Sequence, residues 1–150
     1  MPDSRAEVLD YLESHQVMTL AVTAGGDVWA AAVFYVNLNF SLYFLSAGHT
    51  RHARYIASNP WAAVTIQEDY GDWQTIKGIQ LEGSVRLLAG AEQSSAIALY
   101  GEKYPFVGKA RSAVAAALAK VNWYQITPAR LYFIDNSKGF GHREEVPLHR

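Results

Sequence analysis

The sequence predicts a mainly β domain with flanking helices, closed into an antiparallel barrel. Three observations carry that reading. Short period-two segments follow one another early in the chain, and the first two are joined by Gly25-Gly26. A helical stretch interrupts the strands only twice after residue 50, so the βα alternation of a parallel sheet is missing. A long alternating run, 75–88, carries glycines at 78 and 83. Fully extended it would span about 46 Å, more than a small sheet needs, so it should bend at a glycine as barrel strands do.

The elements follow in order. Ser4 and Glu7 have capping-box spacing, and Val8, Leu9 and Leu12 recur at helical intervals, predicting a helix over 5–15. Val17 to Thr23 is the first strand, and Ala24 to Asp27 its hairpin turn. Val28 to Val36 is apolar on both faces. A strand buried on both sides needs cover beyond one core, from a helix or a partner subunit. Asn37 to Ser41 turns into a third strand, Leu42 to Ser46. Thr50 has the character of an N-cap for a helix over 51–58, which Asn59-Pro60 ends. Trp61 to Gln67 is a fourth strand, and 68–72 a polar loop. Along 75–88, Ile79, Leu81, Val85 and Leu87 share a face. Helices over 91–104 and 109–120 flank Pro105 and Gly108. Two strands, 123–126 and 130–135, close the pattern around Pro128.

Composition bounds the function. The 150 residues fit one domain, 1–150, and 50% hydrophobic with 18% charged residues excludes a disordered segment. Thirteen basic against fourteen acidic residues, a formal charge of −1, argue against nucleic acid as a partner. Without cysteine there is no disulfide, thiolate nucleophile or iron–sulfur cluster. Neither a signal peptide nor an apolar run of about 18 residues is evident, so no membrane partner and a cytoplasmic location are expected. His49 and His52 lack a clear third ligand, and no metal is expected.

Chemistry concentrates at Ser46 and at Thr50-Arg51-His52. Free N–H groups and partial positive charge at a helix start, joined by a guanidinium fork, would seat a phosphate. The competing reading is an ordinary cap with surface basic residues. The tail 135–145 also combines polar groups with two glycines around Phe140, and it either turns back toward a ligand or frays. Trp73, after the polar loop, is the tryptophan expected near a ligand, the other three being core or interface.

The ordered series Leu45, Ser46, Thr50, Arg51, His52 and Asn59-Pro60, followed by the Trp61 strand and the Ile-Gln-Leu-Glu-Gly-Ser-Val-Arg run, resembles the FMN-binding split barrel of pyridoxamine 5′-phosphate oxidase and its relatives. The likeness covers residues 15 to 90 best. It implies a split barrel that is an obligate homodimer, with FMN in grooves between subunits. The isoalloxazine would lie near Val33 and Phe34, the strand end would supply Leu45 and Ser46, and the phosphate would sit at Thr50, Arg51 and His52. Gln80 is carried over as a flavin neighbour. His142 and Arg143 are candidates to reach the groove, and His142 is the one candidate acid or base.

Two departures matter. The second strand lacks the basic residues of the oxidases, and His52 stands where lysine is usual. Both weaken a phosphate site, keep heme or a deazaflavin as alternative ligands, and count against pyridoxamine phosphate as substrate. The expected function is an FMN flavoprotein acting as an oxidoreductase on a small-molecule substrate or electron donor. The alternatives are a non-catalytic flavin- or heme-binding protein, and a barrel that binds nothing.

Overall fold

In the computed structural model, which describes residues 3–108 and 112–149, the strands form one antiparallel sheet. Helix α1 (Ser4–Ser14) leads into the hairpin β1 (Val17–Ala24) and β2 (Asp27–Phe34). Strands β3 (Val36–Leu38) and β4 (Ser41–Ser46) follow, then α2 (Arg51–Ser58), β5 (Trp61–Gln67) and β6 (Lys77–Leu87). Helices α3 (Gly90–Lys103), α4 (Pro105–Gly108) and α5 (Ser112–Lys120) separate β6 from β7 (Asn122–Asp135) and β8 (Arg143–Glu145). The expected helix start at Lys109 lies outside the described residues.

The sheet order is β2-β1-β5-β6-β7-β4-β3, with β8 added on β7. Its two ends, β2 and β3, are consecutive in the chain and joined by Tyr35 alone. The sheet therefore curls until its edges converge at that residue. The strand expected over 28–36 is broken there. Tyr35 donates its N–H to Gln16 O at 3.0 Å, and its carbonyl accepts the Tyr104 hydroxyl. Its own hydroxyl donates to Leu12 O at 2.7 Å, one of the carbonyls α1 cannot satisfy internally. Lys103 Nζ sits 4.2 Å from the Tyr35 ring centroid and donates to Leu12 O and His15 O. One buried tyrosine thus ties the end of α1, the corner of the sheet and the end of α3.

Alternation sorts the side chains. Met18, Leu20, Val22, Leu42, Phe44, Val64, Ile66, Ile79, Leu81 and Ile126 fill the concave side, under Val8 and Leu12 of α1 and Ala53 and Ile56 of α2. A second cluster, Val36, Leu88, Ala96, Tyr100, Tyr104 and Trp123, packs α3 on the outside of β4 and β7. The Trp123 indole N–H reaches Leu118 O at 2.8 Å.

Several expectations are corrected. Asp3, rather than Ser4, caps α1, its carboxylate accepting from Arg5 N at 3.0 Å. Leu87 is exposed and Leu88 buried: Val85 keeps the inward alternation of Ile79 and Leu81, but β6 ends at Leu87 and Leu88 joins the cluster beneath α3. The closing segments are one strand: Pro128 is tolerated because β4 pairs β7 only through Ile126, and β8 pairs it only from Tyr132. The bend falls at Gly83, where an added Cβ would lie 2.1 Å from Thr127 O and 2.8 Å from Pro128 Cα. No helix among the described residues is long and apolar enough to cross a membrane.

Two stability measurements follow. Gly83→Ala should cost more than about 2 kcal/mol in urea unfolding, since the clash is with backbone, while Gly71→Ala, with open space around it, should stay within about 0.5 kcal/mol. Burial pushes Lys103 down to about 8, from 10.5. Between those values the unfolded chain binds more protons than the folded one, so stability rises with pH. Burial pushes Tyr11, Tyr35 and Tyr104 upward from 10.0, so above that value the unfolded chain loses protons first and stability falls. Urea midpoints should therefore climb from about pH 8 to pH 10 and then drop. Lys103→Met should abolish the climb.

Candidate functional site

The loop after β4 places the expected cluster. Thr50 Oγ1 accepts from Ala53 N at 3.2 Å, capping α2, and donates to Ala47 O at 3.0 Å. Ser46, only 7% exposed, brings its hydroxyl within 2.8 Å of both Thr50 Oγ1 and His52 Nε2, and 3.0 Å from Ala47 O. Ser46, Thr50 and His52 therefore form one connected group at the start of the helix. Burial pushes the His52 imidazole below its ordinary value, which leaves it neutral at pH 7.

Arg51 is held by aromatic faces. Its guanidinium carbon lies 4.2 Å from the Trp29 ring centroid and 5.4 Å from that of Tyr55, and Nε donates to Tyr55 Oη at 3.0 Å. Among the described residues the two terminal nitrogens have no partner, so their donors remain available to an anion. Trp29 belongs to β2, so this contact ties the α2 N-terminus to the edge strand. Sequence reasoning left Trp29 as core or interface; the missed signal is an aromatic ring at a strand start opposite a helix carrying Arg.

Strand β2 presents the rest of the expected seat. Val33 faces the core, while Phe34 points outward, 48% exposed, with its ring edge toward Tyr104 at 5.4 Å. The two residues lie on opposite faces, so a flat ring on the outer face would meet Phe34 and only the backbone at Val33. Leu45 also departs from the group. Alternation turns it away from Ser46 and into the cluster beneath α3.

The outer face of β2 carries Val28, Ala30, Ala32 and Phe34, with Val28 68% exposed. Register extends it across the sheet. Ala30 stands beside Ala21, which stands beside Ala63; Ala32 stands beside Thr19, Thr65 and then Gln80. Trp61 flanks the row, half-exposed. On β2, β1 and β5 the result is a smooth, uncharged surface of small side chains, with β2 at its free edge; beyond Ala63 the row meets the exposed Glu82 of β6. From the sequence Trp61 was read as core or interface, and Ala21 and Ala63 were not singled out. Their signal was the alternation of small outward residues with Leu20, Val22, Ala62 and Val64.

Gln80 and Arg143 meet. The tail turns at Gly139 and Gly141, both at positive φ, and Arg143 to Glu145 pair with β7 as β8. Arg143 then lies over Tyr132, 4.4 Å from its centroid, with Nη1 3.5 Å from Gln80 Oε1. The tail is thus docked rather than frayed. His142 is not directed to the same point: its Nε2 lies 2.9 Å from Glu144 Oε1, which Lys138 also approaches at 3.8 Å. Trp73 meets Phe140 edge-on at 5.5 Å, joining the two loops beside this tail.

Gln80 lies three strands from Ala32 in the same row, about 14 Å away at the usual strand spacing. The two halves of the expected site are therefore separate on one chain. A cleft of about 550 Å³ lies elsewhere, between α3 and the sheet, lined by Leu38, Tyr43, Arg86, Leu88, Leu99 and Gln125, and holds none of the expected cofactor residues.

Comparison with known proteins gives the fold its relatives. A "UPF0306 protein" from Yersinia pseudotuberculosis is 30% identical over 142 residues, covering 93% of this chain and 90% of that one. The structure of a heme binding protein from Mycobacterium smegmatis superposes with a TM-score of 0.78 at 22% identity, covering 99% of this chain and 59% of that one. A FAD-binding protein from Mesorhizobium loti superposes at 0.66 with 16% identity, covering 85% and 91%. The chain spans less than two thirds of the mycobacterial protein. The family model described as pyridoxamine 5′-phosphate oxidase matches residues 4–135. By that match, running through nearly the whole sheet, the chain belongs to the pyridoxamine 5′-phosphate oxidase family.

Proposed function

We propose that this chain is a flavoprotein holding FMN between two copies of itself, with the anionic end at Thr50, Arg51 and His52 and the ring along the outer face of β2. The observation that carries the reading is the uncovered edge strand next to the α2 start. Ala30 to Ala32 leave backbone that a flat ring can approach, and Arg51 stands at one end with unpaired donors. The residues fit a phosphate monoester: a guanidinium whose terminal nitrogens have no partner among the described residues stands at the α2 start, beside the His52 imidazole.

The seat is open on one chain, and the smooth face supplies the reason for a second copy. Small side chains on β2, β1 and β5 permit close approach of another sheet, and an uncovered apolar strip costs solvation until it is covered. A partner would close the split barrel into a groove and bring its own Gln80 and Arg143 toward the ligand. Bound FMN would supply reversible electron transfer with a small-molecule donor or substrate. The chain would hold the phosphate, exclude water from the ring face and present the Gln80 amide as a hydrogen-bond partner.

Heme binding is the second reading. It is favoured by the absence of basic residues on β2 and by the neutral imidazole at position 52, which together make a weaker phosphate seat. The mycobacterial structure named for heme binding supports the same fold for that ligand. A deazaflavin would fit the same face.

An absorption spectrum of the purified protein, with the released ligand identified by mass, separates these readings: FMN is expected, a Soret band would transfer the site to heme. Arg51→Ala should weaken FMN binding roughly 10- to 100-fold in fluorescence titration, the loss of a charged hydrogen bond of about 1.5–3 kcal/mol. In light scattering after size exclusion, the parent chain should run as a dimer and Ala63→Arg as a monomer. A monomeric parent chain that still binds FMN would remove the second copy from the proposal.

A further inference from the structure

Resting on that reading, we infer that His52 is the specificity-determining residue of the seat, and that a phosphate monoester dianion binds there with uptake of one proton onto the imidazole. A lysine at this position would be charged before the ligand arrived. Histidine makes the second charge conditional on it.

The argument starts from the hydroxyl network. Thr50 Oγ1 donates to Ala47 O at 3.0 Å, a carbonyl whose second lone pair takes the Thr50 N–H, and Ser46 Oγ, 2.8 Å from Thr50 Oγ1, donates its proton to that hydroxyl. With both hydroxyls so committed, Ser46 Oγ faces His52 Nε2 at 2.8 Å with a lone pair, and Nε2 must carry the hydrogen. In the neutral ring that leaves Nδ1 as a bare acceptor. Nδ1 has no protein partner, and no buried side-chain nitrogen or oxygen among the described residues lacks one, so Nδ1 is open to solvent. A phosphate oxygen cannot accept from an unprotonated Nδ1.

Two rearrangements give the anion a donor. Ser46 can turn its proton from Thr50 Oγ1 to Nε2, giving up that bond and moving the ring hydrogen to Nδ1 without changing the charge. Alternatively Nδ1 takes a proton from solvent, every existing bond is kept, and a positive charge faces the phosphate. The second costs no hydrogen bond and adds charge attraction. The ring bonds Ser46 of β4, which pairs with Asn122 on β7; Thr50, the cap of α2, and Arg51 precede it in the chain, and His49 lies in the loop before them. Arg51 carries the fixed charge of this set, and its guanidinium is turned onto Trp29 and Tyr55. Burial without an acidic neighbour keeps the free ring neutral, so the proton arrives with the ligand.

The proton balance is simple: ligand dianion, neutral imidazole and one solvent proton give imidazolium and bound dianion. Since a phosphate monoester loses its second proton near pH 6, the ligand is fully dianionic above about pH 7 and does not itself titrate there. Affinity should then fall up to about tenfold per pH unit between pH 7 and 9, the linkage limit for one proton taken up.

Isothermal titration of the apo-protein with FMN, in two buffers of different ionisation heat at pH 8, counts that proton. Uptake approaching one is expected. His52→Lys should bind with no uptake and constant affinity from pH 7 to 9, and His52→Gln, whose amide can still donate to Ser46, should bind more weakly with no uptake. His49→Ala should keep the uptake. Binding of FMN without proton uptake, or uptake that persists in His52→Lys, overturns this inference alone. A parent chain that binds no FMN at any pH overturns the reading on which it rests, and this inference with it.

Discussion

The corner at Tyr35 is the constraint on which the rest of this molecule depends. A single residue joins the two edges of the sheet, so its backbone groups cannot all be satisfied by a regular ladder. The solution uses Gln16 O for the N–H and the Tyr104 hydroxyl for the carbonyl. The Tyr35 hydroxyl in turn satisfies Leu12 O at the end of α1, and Lys103 covers the ring. Burying Lys103 is unfavourable for its charge, and that cost is offset by its bond to the His15 carbonyl just past the end of α1 and by a second bond to Leu12 O.

That corner also decides where the free edge of the sheet lies. Because β2 ends at the corner, it stays an edge strand along its whole length, paired by β1 on one side only. The interior receives Leu, Ile, Val and Met; the outside of β2, β1 and β5 receives Ala, Thr and isolated aromatics. The α2 start is fastened to this edge by Arg51 on Trp29, and to the sheet interior by Ser46 on Thr50 and His52. A polar group beside a smooth apolar edge is an arrangement suited to a ligand with a charged end and a flat body.

Local chemistry made much of this legible. Thr50 as a cap, the limits 51–58 of α2, the Gly25-Gly26 turn and the Trp61–Gln67 strand each follow from residues whose backbone preferences are strong and near in sequence. Asp3 displaced Ser4 because both can cap and one residue's shift in helix phase decides between them. Leu87 was misplaced because alternation assumes the strand continues: Val85 still faces inward, but β6 ends at Leu87. The meeting of Gln80 with Arg143 was only half legible. Each residue was a candidate by itself, but their contact joins positions sixty-three apart through a turn and a third strand.

By itself, then, the sequence determined the strand-rich pattern, the cap at α2 and the hydroxyl–guanidinium–imidazole series beside it, since these depend on alternation and on side chains bonding to nearby backbone. Tertiary structure alone decided which of them converge. Leu45 and Ser46 are adjacent in sequence, yet they face opposite sides of β4, one under α3 and one against Thr50 and His52. Val33 and Phe34 divide in the same way. Period two fixes that neighbours oppose each other, but which face is core depends on where the sheet curls, and that is set by contacts between Tyr35, Leu12 and Lys103, far apart in the chain.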